Sequence, residues 1–401
     1  MTLLPPDCDA RVQVIGPSYL DEIVEVDGPL CHERWVREAL PERAGPVRID
    51  YSRTEAEREP LDEPGVFLQV DSPGGDSIRV TEPGATGGHR LLVEEERLFD
   101  AGSLGLPDEA KVPPLRTEVP LCGRRLQLGG MGAGYALALG GRLVLPLGTT
   151  AGRPDADALK LCEMMEECGV AYQPVLVSGA GTDVTTLLWS SPGDKLPVGR
   201  RSACYAVTAE ALLERAVPAD LNIITSLPNA TARSVANALT GWKLFTPSLR
   251  NVREGGVEQV VGAVDAMSLN STEWGALAEP EQVRRCCPLV LVTRGEEGAA
   301  VSFRDKTGRL RWTEVPAARL EKGVLDANHA GEAFTAGFLG ALLEQLSVAQ
   351  LRRGEYSEGI LREAAWQGSL SAALELTIRE MRFPDRAEVL DLRERTPLPG
   401  R

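Results

Sequence analysis

Four short apolar runs in the second half of the chain restrict its fold more than anything else in it: "LNIITSLP", "KLFTPSL", "AVDAMSLN" and "PLVLVTRG". Each is the length of a strand, and none alternates apolar with polar residues as a half-solvated strand would. Helical segments, "TARSVANALT" and "EWGALAEPEQVRRCC", lie between some of them. Strand–helix alternation of this kind predicts a parallel, doubly wound sheet. Such sheets place ligands beyond the carboxyl ends of their strands, and the Gly-rich turns of this chain follow its strands.

The first half reads less regularly. "RVQVIG" (11–16) is a short alternating run closed by Gly, expected to be the first strand, and "PSYLDEIVEVDGPL" a second extended piece. Residues 31–125 are dense in Pro, Gly and charge, with strand-like islands "VFLQV", "SIRV" and "RLLV" between turns. They are expected to form an inserted, mostly β element. Regular texture resumes at "RRLQLGGMGAGYALALG", a strand broken at Gly129-Gly130 and followed by a small-residue helix. "ADALKLCEMMEECGV" is an amphipathic helix closed by Gly169. The expected organisation is 1–30 as the first core strands, 31–125 as the insert, and 126–401 as the main core, with further strands of the insert near 184–206.

Composition removes several functions. Forty-three basic against 58 acidic residues give a net charge of −15, which repels a nucleic-acid backbone, and aromatic residues make up only 5%. With only His32, His89 and His329 present, a histidine-rich metal site is excluded, and no GxSxG elbow exists for a Ser-His-Asp triad. The eight cysteines follow no zinc or CxxC spacing and are expected to be free thiols. The opening residues lack a basic, apolar leader, and no window approaches a membrane span. A cytoplasmic protein without nucleic-acid or membrane partners is the expectation.

The stretch "NHAGEAFTAGFL" carries chemistry without reference to any relative. Small Ala330 and Gly331 open an apolar helix, whose first-turn N–H groups and partial positive charge suit a phosphoryl group. Glu332 on that turn is placed to take a proton from an attacking hydroxyl. The bland alternative is an acidic residue that merely complements the helix dipole. "GGMGAG" invites a dinucleotide-binding reading, but its G-G-x-G-x-G spacing is not G-x-G-x-x-G, and an NAD-dependent oxidoreductase ranks low.

Four segments in order resemble the ribokinase, or PfkB-type carbohydrate kinase, family: "GPSYLDEIVEV", "GGMGAGYALALGGRLVLPLG", "LNSTEW", and "TRGEEGA" followed by "LDANHAGEAFTAGFL". The resemblance covers about 11–30 and 124–380. It implies a three-layer α/β/α fold with a mostly parallel central sheet and, here, an enlarged β-rich lid. The implied activity is transfer of the γ-phosphoryl group of ATP, with Mg²⁺, to a hydroxyl of a sugar, nucleoside or related polyol.

The resemblance also implies roles. Glu332 is the general base, and the backbone of His329, Ala330 and Gly331 forms the anion hole. Asp21 binds the acceptor, which Gly129, Gly130 and Gly134 line. Asn270, Glu273, Thr293, Gly295 and Gly298 serve the nucleotide, Glu273 acting on Mg²⁺ through water. A homodimer through the lid is the implied assembly. Arg200 and Arg201 are candidate anion contacts, or plain surface arginines.

Four positions depart from the family's pattern, one of them Ala327, where Thr is usual. Its usual base is Asp, one methylene shorter than Glu332, a difference of roughly 1.5 Å. His329 replaces a Gly, and Gly134 an Asn. A catalytically silent ligand-binding or interaction protein of the same fold therefore stands as the alternative.

Overall fold

The computed structural model describes residues 2–26, 47–52, 66–71, 77–81, 118–190, 195–319, 323–326, 328–378 and 382–399. The island "RLLV", His32 and His89 lie outside them. The chain divides into two compact units, one of Met1–Tyr19, Leu128–Asp183 and Arg201–Arg401, the other of Leu20–Gln127 and Val184–Arg200.

The first unit is built on a ten-stranded sheet. Its order is Leu310–Val315, Ala299–Arg304, Leu289–Thr293, Ala266–Asn270, Trp242–Thr246, Leu221–Thr225, Val12–Ile15, Arg142–Thr150 and Arg153–Pro154, with Tyr172–Val177 also pairing Arg142–Thr150. The strands from Leu289–Thr293 to Arg142–Thr150, and Tyr172–Val177 beyond, are parallel. All four apolar runs are among them. Antiparallel pairing is confined to the margins: Ala299–Arg304 and Leu310–Val315 form a hairpin at one edge, and Arg153–Pro154 pairs antiparallel with the end of Arg142–Thr150 at the other.

Neighbouring residues on these strands enter two separate cores, because successive side chains point to opposite faces. Val14, Leu143, Ile223, Leu244, Ala266 and Leu289 join one, which includes Ala133, Ala136, Phe334, Phe338, Leu361 and Leu370. Ile15, Val144, Ile224, Phe245, Met267 and Val290 join the other, with Leu212, Val235, Val260 and Val283. Helices thus cover both faces in a three-layer α/β/α arrangement. Helices Met131–Leu139, Ala330–Leu343 and Glu358–Glu375 lie on the first face, and Asn229–Ala238 and Pro280–Cys286 on the second.

Local signals act as the sequence leads one to expect. Asp155 caps helix Ala156–Glu167 by accepting from Ala158 N–H at 2.7 Å, and Gly169 beyond its end has φ 73°. Cys8, Cys162, Cys168, Cys204, Cys286 and Cys287 are free. Among the described residues no helix is long and apolar enough to cross a membrane.

The second unit holds a seven-stranded sheet in the order Lys195–Arg200, Val184–Ser190, Tyr19–Val26, Glu118–Gly129, Ser77–Thr81, Val66–Asp71 and Val47–Ser52. The islands "VFLQV" and "SIRV" are strands of it, and Tyr19–Val26 pairs in parallel with Val184–Ser190, Asp21 lying opposite Thr185. No helix among the described residues belongs to this unit.

Candidate active site

The carboxyl ends of the first unit's parallel strands set the site. Strand Val12–Ile15 lies between Leu221–Thr225 on one side and Arg142–Thr150 on the other, so connections leave it in opposite directions. A doubly wound sheet opens its crevice at such a reversal of order. Buried hydroxyls collect there: Ser18 Oγ, just past the first strand, and Thr225 Oγ1, at the end of its neighbour, have no hydrogen-bond partner among the described residues. Buried polar atoms left this way point to water or a polar ligand as the missing partner.

Gly130 starts helix Met131–Leu139 with φ 87°. A methyl group there would stand 2.9 Å from Ser18 Cα and 3.0 Å from Tyr19 N, so only glycine admits this backbone approach. Gly129, buried, ends the preceding strand. The two glycines bring the helix N-terminus against the turn after the first strand.

Helix Ala330–Leu343 supplies the charged groups. His329 is its N-cap at φ 63°, ψ 0°, and its side chain makes no cap bond to the first-turn N–H groups. Nothing lies within 4 Å of the place a side chain would occupy at Gly331. A non-glycine residue in this conformation costs roughly 1–2 kcal/mol, histidine being among the less averse. In exchange, the imidazole Nδ1–H donates to Glu332 Oε1 at 3.3 Å, both side chains being largely enclosed, at 9% and 14% exposure.

Burial pushes the Glu332 carboxyl up. The hydrogen bond from His329, its charge and the backbone N–H of residue 332 outweigh this and hold it below the usual carboxylate range. Glu332 is therefore ionised and ready to accept a proton at neutral pH.

Gly134 stands one helical turn after Gly130 and meets this pair. A methyl group at Gly134 would lie 3.4 Å from Glu332 Cγ, 3.4 Å from Phe383 Cζ and 3.5 Å from His329 Nδ1. Tyr135 beside it is 2% exposed. Burial raises its hydroxyl well above the ordinary value, and the Glu332 charge adds to that.

Asn270 and Glu273 close a capping box at the start of helix Ser271–Ala276. Asn270 N–H donates to Glu273 Oε2, and Glu273 N–H to Asn270 Oδ1, each at 2.8 Å. Glu273 is pushed up to about 7, chiefly by burial, opposed by the Asn270 N–H and aided by the charge of Glu332. Thr293 ends its strand with its hydroxyl directed at Leu269 O at 3.5 Å. Gly295 opens a short 3₁₀ turn at φ 58° with free space around it. Gly298, at φ 95°, has a structural reason, since a methyl group there would stand 2.1 Å from Val315 O.

The structure thus brings Glu332, His329 and Gly134 into contact, with Glu273 close enough to feel the Glu332 charge. Asp21 is a half-buried residue of the second unit. Arg201 stacks its guanidinium 3.5 Å over the Tyr19 ring, while Asp183 accepts from Ser202 N–H and Cys204 N–H at 2.6 and 3.2 Å. The side chain of Arg200 lies outside what is described.

One residue near the site escaped the sequence reading. Glu375, at the end of helix Glu358–Glu375, is 2% exposed, and its Oε2 has no partner among the described residues. Burial raises it to about 8; the His329 charge lowers it and that of Glu332 raises it. Its only sequence signal was an acidic residue on an otherwise apolar helix face.

Residues 203–378 match the model of the pfkB family carbohydrate kinases. No curated protein matches the chain by sequence. Among solved structures, ribokinase from Thermotoga maritima is similar over 96% of this chain and 99% of its own, at 16% identity and a TM-score of 0.60. The Methanocaldococcus jannaschii nucleoside kinase is similar over 96% and 98%, at 12% identity and 0.58. Adenosine kinase from Sinorhizobium meliloti is similar over 97% and 100%, at 17% identity and 0.57. The chain therefore has the ribokinase-like fold and carries a pfkB family carbohydrate kinase match across residues 203–378.

Proposed function

We propose that this protein transfers the γ-phosphoryl group of ATP to a hydroxyl of a sugar, nucleoside or related polyol, with Glu332 as general base. The observation that carries this is Glu332 itself: an enclosed, ionised carboxylate on the first turn of a helix whose N-cap side chain makes no cap bond. Glu332 takes the proton of the acceptor hydroxyl as that oxygen bonds to the γ-phosphorus, while the bond from phosphorus to the bridging oxygen breaks and ADP leaves. The N–H groups of Ala330 and Gly331 face the charge that builds on the phosphoryl oxygens. Asp21 would bind a second acceptor hydroxyl, and Gly129 and Gly130 would let the acceptor approach backbone.

Asn270, Glu273, Thr293, Gly295 and Gly298 would border the nucleotide. Among the described residues no group of three His, Cys, Asp or Glu side chains could cage a metal. Mg²⁺ binds through phosphates, waters and one or two carboxylates rather than through a protein cage. Glu273 would hold its water shell, and Mg²⁺ would neutralise phosphate charge during transfer. The silent-protein reading is less favoured, because a binding protein has no need of an ionised carboxylate buried at a helix N-terminus.

The test is acceptor-dependent ADP release from Mg-ATP across sugars, nucleosides and polyols, with Glu332→Ala alongside. Release that Glu332→Ala loses supports the assignment. Release that survives it removes Glu332 as base, and binding of ATP without release from any acceptor favours the silent reading.

A further inference from the structure

We propose that His329 is a positioning residue for Glu332, and that Gly134 completes the same unit by leaving the space in which that carboxylate is held. The kinetic consequences rest on the phosphoryl-transfer reading; the coupling among the three residues does not.

Two unfavourable local choices meet at one contact. His329 occupies a left-handed backbone conformation in which glycine would be unstrained, and Gly134 interrupts a helix where alanine would be the better former. Neither helps its own element. Both make sense at the Glu332 side chain, because the left-handed cap directs Nδ1 to within 3.3 Å of Oε1. The Glu332 Cγ and the imidazole meanwhile pack against the bare Cα of Gly134, at the limit where a methyl group would just touch. Anything longer than alanine at 134 would enter the volume of Glu332 Cγ and His329 Nδ1.

The Nδ1 side of the imidazole is thereby committed to the base. Phe383 closes the other side, its ring centroid 6.0 Å from that of His329. The ionisable groups coupled to the pair are Glu375 from helix Glu358–Glu375, Tyr135 from helix Met131–Leu139 and Glu273 from helix Ser271–Ala276, and Asp326 and Arg382 from the adjoining loops act in turn on Glu375. Apart from Arg382 all are acids, so the imidazole is the basic group in contact with Glu332.

The experiment compares His329→Gly, His329→Asn, Glu332→Asp, Gly134→Asn and the Glu332→Asp/Gly134→Asn double variant with the parent. Glycine relieves the backbone, so His329→Gly folds. It is expected to lower kcat on the order of 10- to 100-fold with little change in KM for ATP. The acid limb of its kcat/KM profile should move to higher pH, since burial of Glu332 is then opposed only by the backbone N–H of residue 332. Asn keeps an N–H near the Nδ1 position and tolerates this backbone, so His329→Asn should recover part of the loss.

Gly134→Asn and Glu332→Asp should each lower kcat, and the double variant should exceed the product of the two, because the shorter acid vacates the room the longer neighbour needs. A His329→Gly protein that loses only affinity for ATP would mean that the imidazole touches phosphate, and the proposal would fall. An unmoved acid limb or a multiplicative double variant would also overturn it.

If the parent transfers no phosphoryl group, the functional reading fails while the coupling stays testable. Thermal midpoints of His329→Gly, Glu332→Gln and their combination should then be non-additive, and additive midpoints would reject it.

Discussion

Replacing Glu375 by Gln removes one buried ionisable group without changing its shape, and its effect follows from the titration of that group. The carboxyl is held near 8 in the fold against 4.5 for its ordinary value, first by burial and then by the neighbouring Glu332, despite the opposing His329. Between those two values the folded chain keeps a proton that the unfolded chain has lost. Stability from this group is therefore fully present below about 4.5 and is lost as the pH rises towards and through about 8.

At pH 7 about 2.5 units of that window have been crossed, which at about 1.4 kcal/mol per unit is on the order of 3 kcal/mol. Glu375→Gln should thus gain on the parent steadily as the pH rises. The gain should be near zero at pH 4.5 and level off above pH 8. Denaturant or thermal unfolding of both proteins at pH 4.5, 6, 7 and 8 measures this, and comparing pH values cancels whatever the amide itself contributes. A difference between the two proteins that does not vary with pH would refute the placement of a protonated carboxyl at 375.

Glu332→Ala should lower acceptor-dependent ADP release by about 10²- to 10⁴-fold, the usual contribution of a general base, with the fold intact by circular dichroism. At pH 4.5 Glu273→Gln should keep the thermal midpoint, because glutamine still completes the capping box with Asn270, and it should gain on the parent as the pH rises towards 7, since burial raises the carboxyl to about 7; KM for Mg-ATP should rise. Glu273→Ala should in addition lose about 1 kcal/mol of stability with the cap, measurable by denaturant unfolding. Gly298→Ala should destabilise by more than about 2 kcal/mol, because the new methyl group meets the Val315 carbonyl in a left-handed turn; an unchanged midpoint would show that the hairpin yields freely.

Much of the site was legible because its residues act locally. The uncapped helix start at Ala330–Leu343, the Asn270–Glu273 box and the strand–Gly–helix break at Gly129-Gly130 are set by neighbours within four positions. The physical roles of the glycines were less legible. Gly130 and Gly298 read as room for a ligand, whereas each also answers a backbone approach from a distant segment, Ser18-Tyr19 in one case and Val315 in the other. Glu375 was invisible because its environment comes from helices joined only in the folded chain.

What the sequence by itself determined is the layered sheet. Unbroken apolar runs between helical segments leave no arrangement but parallel strands buried on both faces, since their backbone polar groups need partners and both sets of side chains need cover. What only the tertiary structure decided is that His329, Glu332 and Gly134, three separate oddities along the chain, are one contact. Gly134 lies almost two hundred residues before the other two, and no local rule relates a missing side chain in one helix to a longer one in another. Packing density does, because a volume left empty by one residue must be filled by its neighbours in space.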